Sequence, residues 1–179
     1  MYHLFTDRLV LTLSHPRLAA KVAEFNTVNR TALADTEPNR PKEYYTTQGM
    51  RRILRDEKKC SEKCEEFRFW IREKGGDKIV GTVCIGSILF GSVKSCYLSY
   101  KISADSQGKG YATEAVKEVI NFAWNILRLH RVESYVMPRN KKSLRVMEKL
   151  GFEAEGISKR CLEVNGVWED HIRFSLLNE

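Results

Sequence analysis

Gln107-Gly108-Lys109-Gly110-Tyr111-Ala112 is the stretch whose reading decides the fold. Ahead of it, Tyr97 to Ile102 is aromatic and β-branched enough to read as a strand. Behind it, Ala112, Ala115, Val116, Val119, Ala123, Ile126 and Leu127 recur three and four residues apart, the spacing of an amphipathic helix. Gly108 and Gly110 therefore fall in the turn that starts the helix. A helix start leaves backbone N–H groups without partners, and its dipole makes that end electropositive. Glycines let such a turn bend tightly and let a ligand approach the main chain. The stretch reads as a backbone cradle for a phosphate or pyrophosphate, with the charge of Lys109 beside it. An ordinary strand-to-helix turn has the same local pattern. Two familiar nucleotide loops are absent, since Gly110 and Tyr111 follow Lys109, and Thr113 occupies the third glycine position of the dinucleotide fingerprint.

The 179 residues suit one domain, 1–179, with 42% hydrophobic and 30% charged residues, as in a soluble globular protein. No apolar run approaches the ~18 residues needed to cross a bilayer, and the N-terminus lacks a signal-peptide pattern. A cytoplasmic protein with no membrane partner is the expectation. Five cysteines, at 60, 64, 84, 96 and 161, are scattered and odd in number, which argues against a disulfide framework. Cys60 and Cys64 lack a second Cys/His pair, so no metal site is expected. Cys84 and Cys96 lie in strand-like runs and read as buried thiols. A net charge of +7 favours anionic partners and disfavours a polycationic substrate. The lysines and arginines are spread along the chain rather than gathered in a stripe, so direct nucleic-acid binding is not required.

Taken in order, Arg8 to Ser14 alternates as a first strand. Pro16 suits the first turn of a helix carrying Leu18, Val22 and Phe25. Thr31 to Arg40 is an irregular loop bounded by Pro38 and Pro41. Lys42 to Asp56 reads as a second helix, and the charged Glu57–Glu66 segment as a mobile connection. Phe67, Phe69 and Ile71, then Lys78 to Ile88, then Ser95 to Ile102, form a three-strand meander with Gly75-Gly76-Asp77 as its first turn. Val132 to Met137 is a further strand, closed by Pro138. Asn140 is a helix-capping residue ahead of Leu144, Met147 and Leu150, with Gly151 at the far end. Ile157–Val164 and Trp168–Leu176 close the chain as a hairpin about Asn165-Gly166.

Together these residues resemble the Gcn5-related N-acetyltransferase (GNAT) superfamily, in its RimJ/RimL-like ribosomal-protein N-terminal acetyltransferase branch. Gln107 to Ala112 matches the superfamily's Gln/Arg-x-x-Gly-x-Gly/Ala coenzyme A loop, continued by Thr113-Glu114-Ala115. Asn140-Lys141-Lys142-Ser143, Glu148 to Phe152, Glu155-Gly156 and Gly166 to Asp170 match the branch's later motifs, and Arg8-Leu9 and Ile79-Val80-Gly81 its early ones. The resemblance spans essentially the whole chain. It implies a mixed α/β (α+β) GNAT fold: one mostly antiparallel sheet of about seven strands, splayed at its centre and covered by helices.

The resemblance also implies chemistry. Acetyl-coenzyme A would bind where Tyr97–Ile102 and Val132–Met137 part. Its pyrophosphate would lie on Gln107, Gly108, Lys109, Gly110, Tyr111, Ala112 and Thr113, and its pantetheine arm along Lys101 and Ile102. Asn140 would contact that arm, and Ser143 would give a proton to the departing thiolate. Direct attack by an amine needs no protein nucleophile, and an α-amino group with a pKa near 8 needs less help than a lysine near 10.4. The family-implied acceptor is a ribosomal protein N-terminus. A small-molecule amine or antibiotic, a coenzyme sensor and an RNA-binding module are the alternatives. The branch's glutamate ahead of the loop is Tyr97 here, and another used by some relatives aligns with Leu162. Its neighbour Glu163 points to the opposite face, so Glu163, Asp170, Tyr97 and a water chain all stand as candidate bases. The closing hairpin offers an edge for a homodimer.

Overall fold

The computed structural model describes residues 2–179. Within them, eight strands form one open sheet: β1 (His3–Phe5), β2 (Leu9–Leu13), β3 (Phe67–Glu73), β4 (Ile79–Leu89), β5 (Ser95–Ile102), β6 (Arg131–Val136), β7 (Glu153–Val164) and β8 (Val167–Leu177). The four helices are α1 (Ala19–Asn29), α2 (Thr47–Glu62), α3 (Tyr111–Asn125) and α4 (Lys141–Lys149). The sheet order is β1-β2-β3-β4-β5-β6-β8-β7, and only β5 and β6 run parallel. This is the expected mixed architecture with one strand more than expected. The extra strand, β1, pairs with β2 from His3↔Thr12 to Phe5↔Val10. Its three residues are too few to show alternation in a sequence.

Both faces of the sheet are covered. On one, α3 packs Val116, Val119 and Phe122 against Leu11, Phe69, Ile71, Val83 and Ile85. The Phe122 ring meets Phe67 and Phe69 edge-on at 5.1 and 5.4 Å. On the other face, α1 and α2 bury Val22, Phe25, Met50 and Leu54 over Trp70 and Ile79. Cys84 and Cys96 are buried as expected. Burial pushes the Cys96 thiol up to about 12 and that of Cys84 higher still. Among the described residues no cluster of three or more His, Cys, Asp or Glu could hold a metal ion. Among those residues no helix is long and apolar enough to cross a membrane.

The Glu57–Glu66 segment departs from expectation, because α2 continues through it to Glu62. Its start is also later, at the cap Thr46, whose Oγ1 accepts the Gly49 N–H at 3.1 Å. A Cβ on Gly49 would come within 1.9 Å of the Glu43 carbonyl, so a side chain there would drive the helix off the preceding turn. Lysine and glutamate are good helix formers, and Glu57 is a tertiary anchor rather than a solvated charge. The Ser14 hydroxyl donates to Glu57 at 2.6 Å, Trp70 Nε1 donates to that same hydroxyl at 2.9 Å, and Arg68 pairs with Glu57 at 2.9 Å.

Two features position the site. First, β5 and β6 pair only at Ser95↔Arg131, Cys96↔Val132 and Tyr97↔Glu133, and then separate. The Leu98 carbonyl is taken instead by the Ser134 hydroxyl at 3.1 Å. Second, Asn165 and Gly166, both at positive φ, turn the chain from β7 into β8. The outer strand β7 carries register shifts at Ala154/Gly156 and Ser158/Leu162, which blunt its open edge.

Candidate functional site

At the mouth of the split, the chain leaves β5 at Ile102, passes a short 3-10 turn at Ala104–Ser106, and enters α3 through residues 107–110. Gly108 and Gly110 adopt φ of +79° and +83°, a region that side chains disfavour. Gly110 is the N-cap of α3, and no side chain caps the helix. Among the described residues, no protein group accepts from the N–H groups of residues 107–113. Seven successive amides thus stand without a protein acceptor at the positive end of a fifteen-residue helix. Lys109 lies at their edge, 3.9 Å from Glu73. The Gln107 side chain links the loop to both walls of the split. Its Nε2 donates to the Ile102 carbonyl at 3.3 Å, and its Oε1 accepts from Lys142 at 2.6 Å. Tyr111 is tied outward, its hydroxyl donating to Glu73 at 2.7 Å.

Deeper in the split, Asn140 caps α4, its Oδ1 accepting the Ser143 N–H at 3.1 Å. The amide Nδ2 of Asn140 has no partner among the described residues. Ser143 stands in the first turn of α4, next to the phenol of Tyr100 on β5. The Tyr100 hydroxyl is buried without a well-formed hydrogen bond. Burial raises its pKa, while the neighbouring Ser143 hydroxyl pulls the other way. Two hydroxyls, one from each wall, therefore meet in the cleft. Beyond Tyr97 the β6-facing edge of β5, including Lys101 and Ile102, has no strand partner. The Lys101 side chain leaves by the other face, pairing with Glu37 at 3.0 Å.

The closing hairpin borders the same opening. Leu162 opposes Glu169, and Glu169 pairs with Arg139 at 2.5 Å, just past β6. Glu163 opposes Trp168 and lies on the other face of the hairpin, exposed. Asp170 is occupied, its Oδ1 accepting the Arg160 N–H at 2.8 Å. Tyr97 sits with its ring 5.6 Å from that of Tyr135. The cradle, Asn140, Ser143, Lys101 and Ile102 are thus brought to one cleft, and Glu163 stands outside it.

Sequence reasoning passed over three parts of this site. Tyr100 was visible as a strand aromatic, but its neighbour Ser143 lies 43 positions away, beyond any local pattern. Arg8 donates to the Lys109 carbonyl at 3.0 Å from the far side of the sheet. On the α1/α2 face, Asn26, Arg30, Arg40, Tyr44, Lys101 and Asn165 line a pocket of about 90 Å³ beside the split.

The chain is similar to proteins of one family. Residues 8–153 match the family model described as an acetyltransferase (GNAT) domain. The chain is 41% identical over 139 residues to the Bacillus subtilis protein named probable N-acetyltransferase YjcK, covering 78% of this chain and 77% of that one. It is 33% identical over 173 residues to the Escherichia coli [ribosomal protein uS5]-alanine N-acetyltransferase, covering 97% and 89% respectively. Among solved structures, the ribosomal-protein-S5-alanine acetyltransferase of Vibrio fischeri superposes with a TM-score of 0.95 at 31% identity, covering 100% of this chain and 98% of that one. Mycobacterium smegmatis RimJ in complex with CoA-disulfide shares the fold at TM-score 0.86 and 24% identity, covering 99% and 90%.

Proposed function

We propose, from the premise that this chain belongs to the GNAT acetyltransferase family, that its acceptor is the α-amino group of a protein N-terminus, a ribosomal protein in the first instance. Acetyl-coenzyme A supplies an acyl group already activated as a thioester. The chain's own task is to bind it, hold an amine against it and manage two protons. The observation that carries this reading is the unclaimed row of amides at residues 107–113, set at the mouth of a sheet that parts after Tyr97 and Glu133.

In this reading Gln107, Gly108, Lys109, Gly110, Tyr111, Ala112 and Thr113 hold the pyrophosphate, with Lys142 as an added cation. The unpaired edge of β5 at Lys101 and Ile102 receives the pantetheine as a further strand would be received, and the free Nδ2 of Asn140 donates to it. A backbone N–H on that edge polarises the thioester carbonyl. Ser143 gives its hydroxyl proton to the departing sulfur, and the buried Tyr100 hydroxyl beside it stands ready to replace that proton. An α-amine with a pKa near 8 is roughly one-tenth neutral at pH 7, far more than a lysine, and reaches its reactive form by losing a proton to water. After attack the nitrogen's second proton passes to solvent, which restores the proton Tyr100 gives up; Glu163, exposed at the hairpin, takes no part by contact.

Support for the acceptor comes from the uS5-alanine acetyltransferase relative, aligned over nearly the whole chain, and from the superposition on the Vibrio fischeri enzyme. Acetyl-transfer assays on N-terminal peptides of ribosomal proteins and on small amines, read by mass spectrometry, test it. The expected result is α-amino acetylation, with kcat/KM rising to a plateau above about pH 8. Saturable coenzyme binding with transfer only to small amines overturns the peptide acceptor. An absence of saturable coenzyme binding overturns the whole reading.

A further inference from the structure

We infer that the pocket between α1, the connection to α2, and β5 binds an anionic group of the acceptor, so that the preferred substrate is a peptide with a side-chain carboxylate close behind its reacting amine. This rests on the acceptor reading above and adds a specificity to it.

Three cations and one carboxylate, Arg30, Arg40, Lys101 and Glu37, line the pocket. Glu37 is already committed to Lys101 at 3.0 Å. The two arginines are held differently. The Arg30 guanidinium lies 4.7 Å from the Tyr45 ring centroid, and that of Arg40 5.0 Å from that of Tyr44. Stacking on aromatic faces fixes the planes of both groups while leaving their N–H edges free. Among the described residues neither arginine has an acidic partner. Two oriented forks with no counter-charge are what a carboxylate needs for a charge-assisted contact.

A second observation points to a ligand in the same place. Asn26 is 4% exposed and lines the pocket. Its Nδ2 donates to Met50 Sδ at 3.4 Å, and its Oδ1 is buried with no donor. An unpaired buried carbonyl is costly, and a ligand N–H would relieve it. A peptide provides both halves: a backbone N–H for Asn26 and, one or two residues on, a carboxylate for Arg30 and Arg40. The Asn165 amide donates to the Ala34 carbonyl, holding the hairpin tip over this pocket. Lys101 brings it to the strand whose opposite face carries Tyr100. Polyamines, bearing only positive charge, are repelled by such a lining.

The test compares acetylation of paired peptides identical but for Asp or Glu against Asn or Gln at the second and third residues, alongside small acid-bearing amines, at low and high salt. The carboxylate peptides are expected to have kcat/KM about tenfold higher or more, chiefly through KM, with the gap narrowing at high salt. In the Arg30→Gln/Arg40→Gln double variant that ratio falls to within about twofold. Equal rates for acid and amide peptides overturn the anion site while leaving N-terminal acetylation standing. Turnover of acid-bearing small amines alone keeps the anion site and overturns the peptide as its source. Coenzyme binding without transfer to any acceptor overturns both.

Discussion

Arg8 and Glu114, 106 residues apart, form a clasp across the front of the glycine loop that opens α3. Arg8 Nη2 lies 2.6 Å and Nε 2.7 Å from Glu114 Oε2, while the Arg8 backbone N–H reaches Oε1 at 2.9 Å. Thr6 Oγ1 adds a fourth donor to the same carboxylate at 2.6 Å. The remaining Arg8 nitrogen, Nη1, donates to the Lys109 carbonyl. One guanidinium thereby ties β2, the glycine loop and the first turn of α3 together. Glu114 also places a negative charge where the helix dipole favours it.

Replacing Arg8 should loosen the cradle without touching the coenzyme directly. Arg8→Ala is expected to weaken coenzyme A binding about tenfold, since one exposed ion pair is worth little but the loop carbonyl and the carboxylate both lose an orienting donor. Titration calorimetry reads this, and an unchanged Kd would show that the loop holds its shape alone.

The same clasp makes stability depend on pH. Partial burial alone would raise the Glu114 carboxyl, but hydrogen bonds from Thr6 and Arg8 and the Arg8 charge hold it below its ordinary 4.5. A carboxylate with a depressed folded pKa stabilises fully above its unfolded value and loses that contribution as pH falls through the folded one. Melting curves from about pH 6 to about pH 3 should show a steeper loss for the native chain than for Glu114→Gln. Parallel curves would remove the clasp from the acid-stability account.

Coenzyme binding should stabilise the fold by mass action. At a hundredfold excess over Kd the gain is about 2.7 kcal/mol, or roughly 5–10 °C in Tm for a chain of this size. Gly110→Ala should lose most of that gain. Gly110 has φ +83°, and a Cβ there would meet Arg8 Nη2 at 3.3 Å. An identical ligand-induced shift in the variant would argue against the cradle.

In the cleft, Ser143→Ala is expected to lower kcat about a hundredfold while leaving coenzyme affinity within about threefold. Tyr100→Phe should cost about tenfold, because it removes the replacement proton and not the first donor. Glu163→Gln should stay within about threefold, as befits a carboxylate outside the cleft. A larger loss for Glu163→Gln than for Ser143→Ala would reverse these roles.

Gly81→Ala probes the splay from the other side. A Cβ on Gly81 would sit 2.5 Å from the Lys101 carbonyl and 2.7 Å from Ile102 Cδ1. Relief requires β5 to shift, at a cost of about 1–3 kcal/mol. Thermal melts should therefore fall by several degrees, and calorimetry should find weaker coenzyme binding. A melt shift with unaltered affinity would uncouple β5 from the coenzyme.

Much of this molecule could be read from spacing alone. The three-and-four rhythm behind Ala112 became α3, the alternation at Phe67, Phe69 and Ile71 became β3, and Asn165-Gly166 became the hairpin turn. The two glycines of the cradle and the Asn140 cap stand where local chemistry put them. The Glu57–Glu66 segment misled, because its charges look solvated until Ser14 and Arg68 are brought up against Glu57.

Helical and strand periods, turn residues and capping side chains act over a handful of positions, so the chain by itself determined most of its elements, the glycine turn before α3 and the family they resemble. Folding alone decided where β5 leaves β6, that Tyr100 meets Ser143, that Arg8 closes on Glu114, and that two tyrosine-stacked arginines share a pocket with Asn26. Those pairings join residues dozens of positions apart through packing and electrostatics, which no short-range pattern along the backbone encodes.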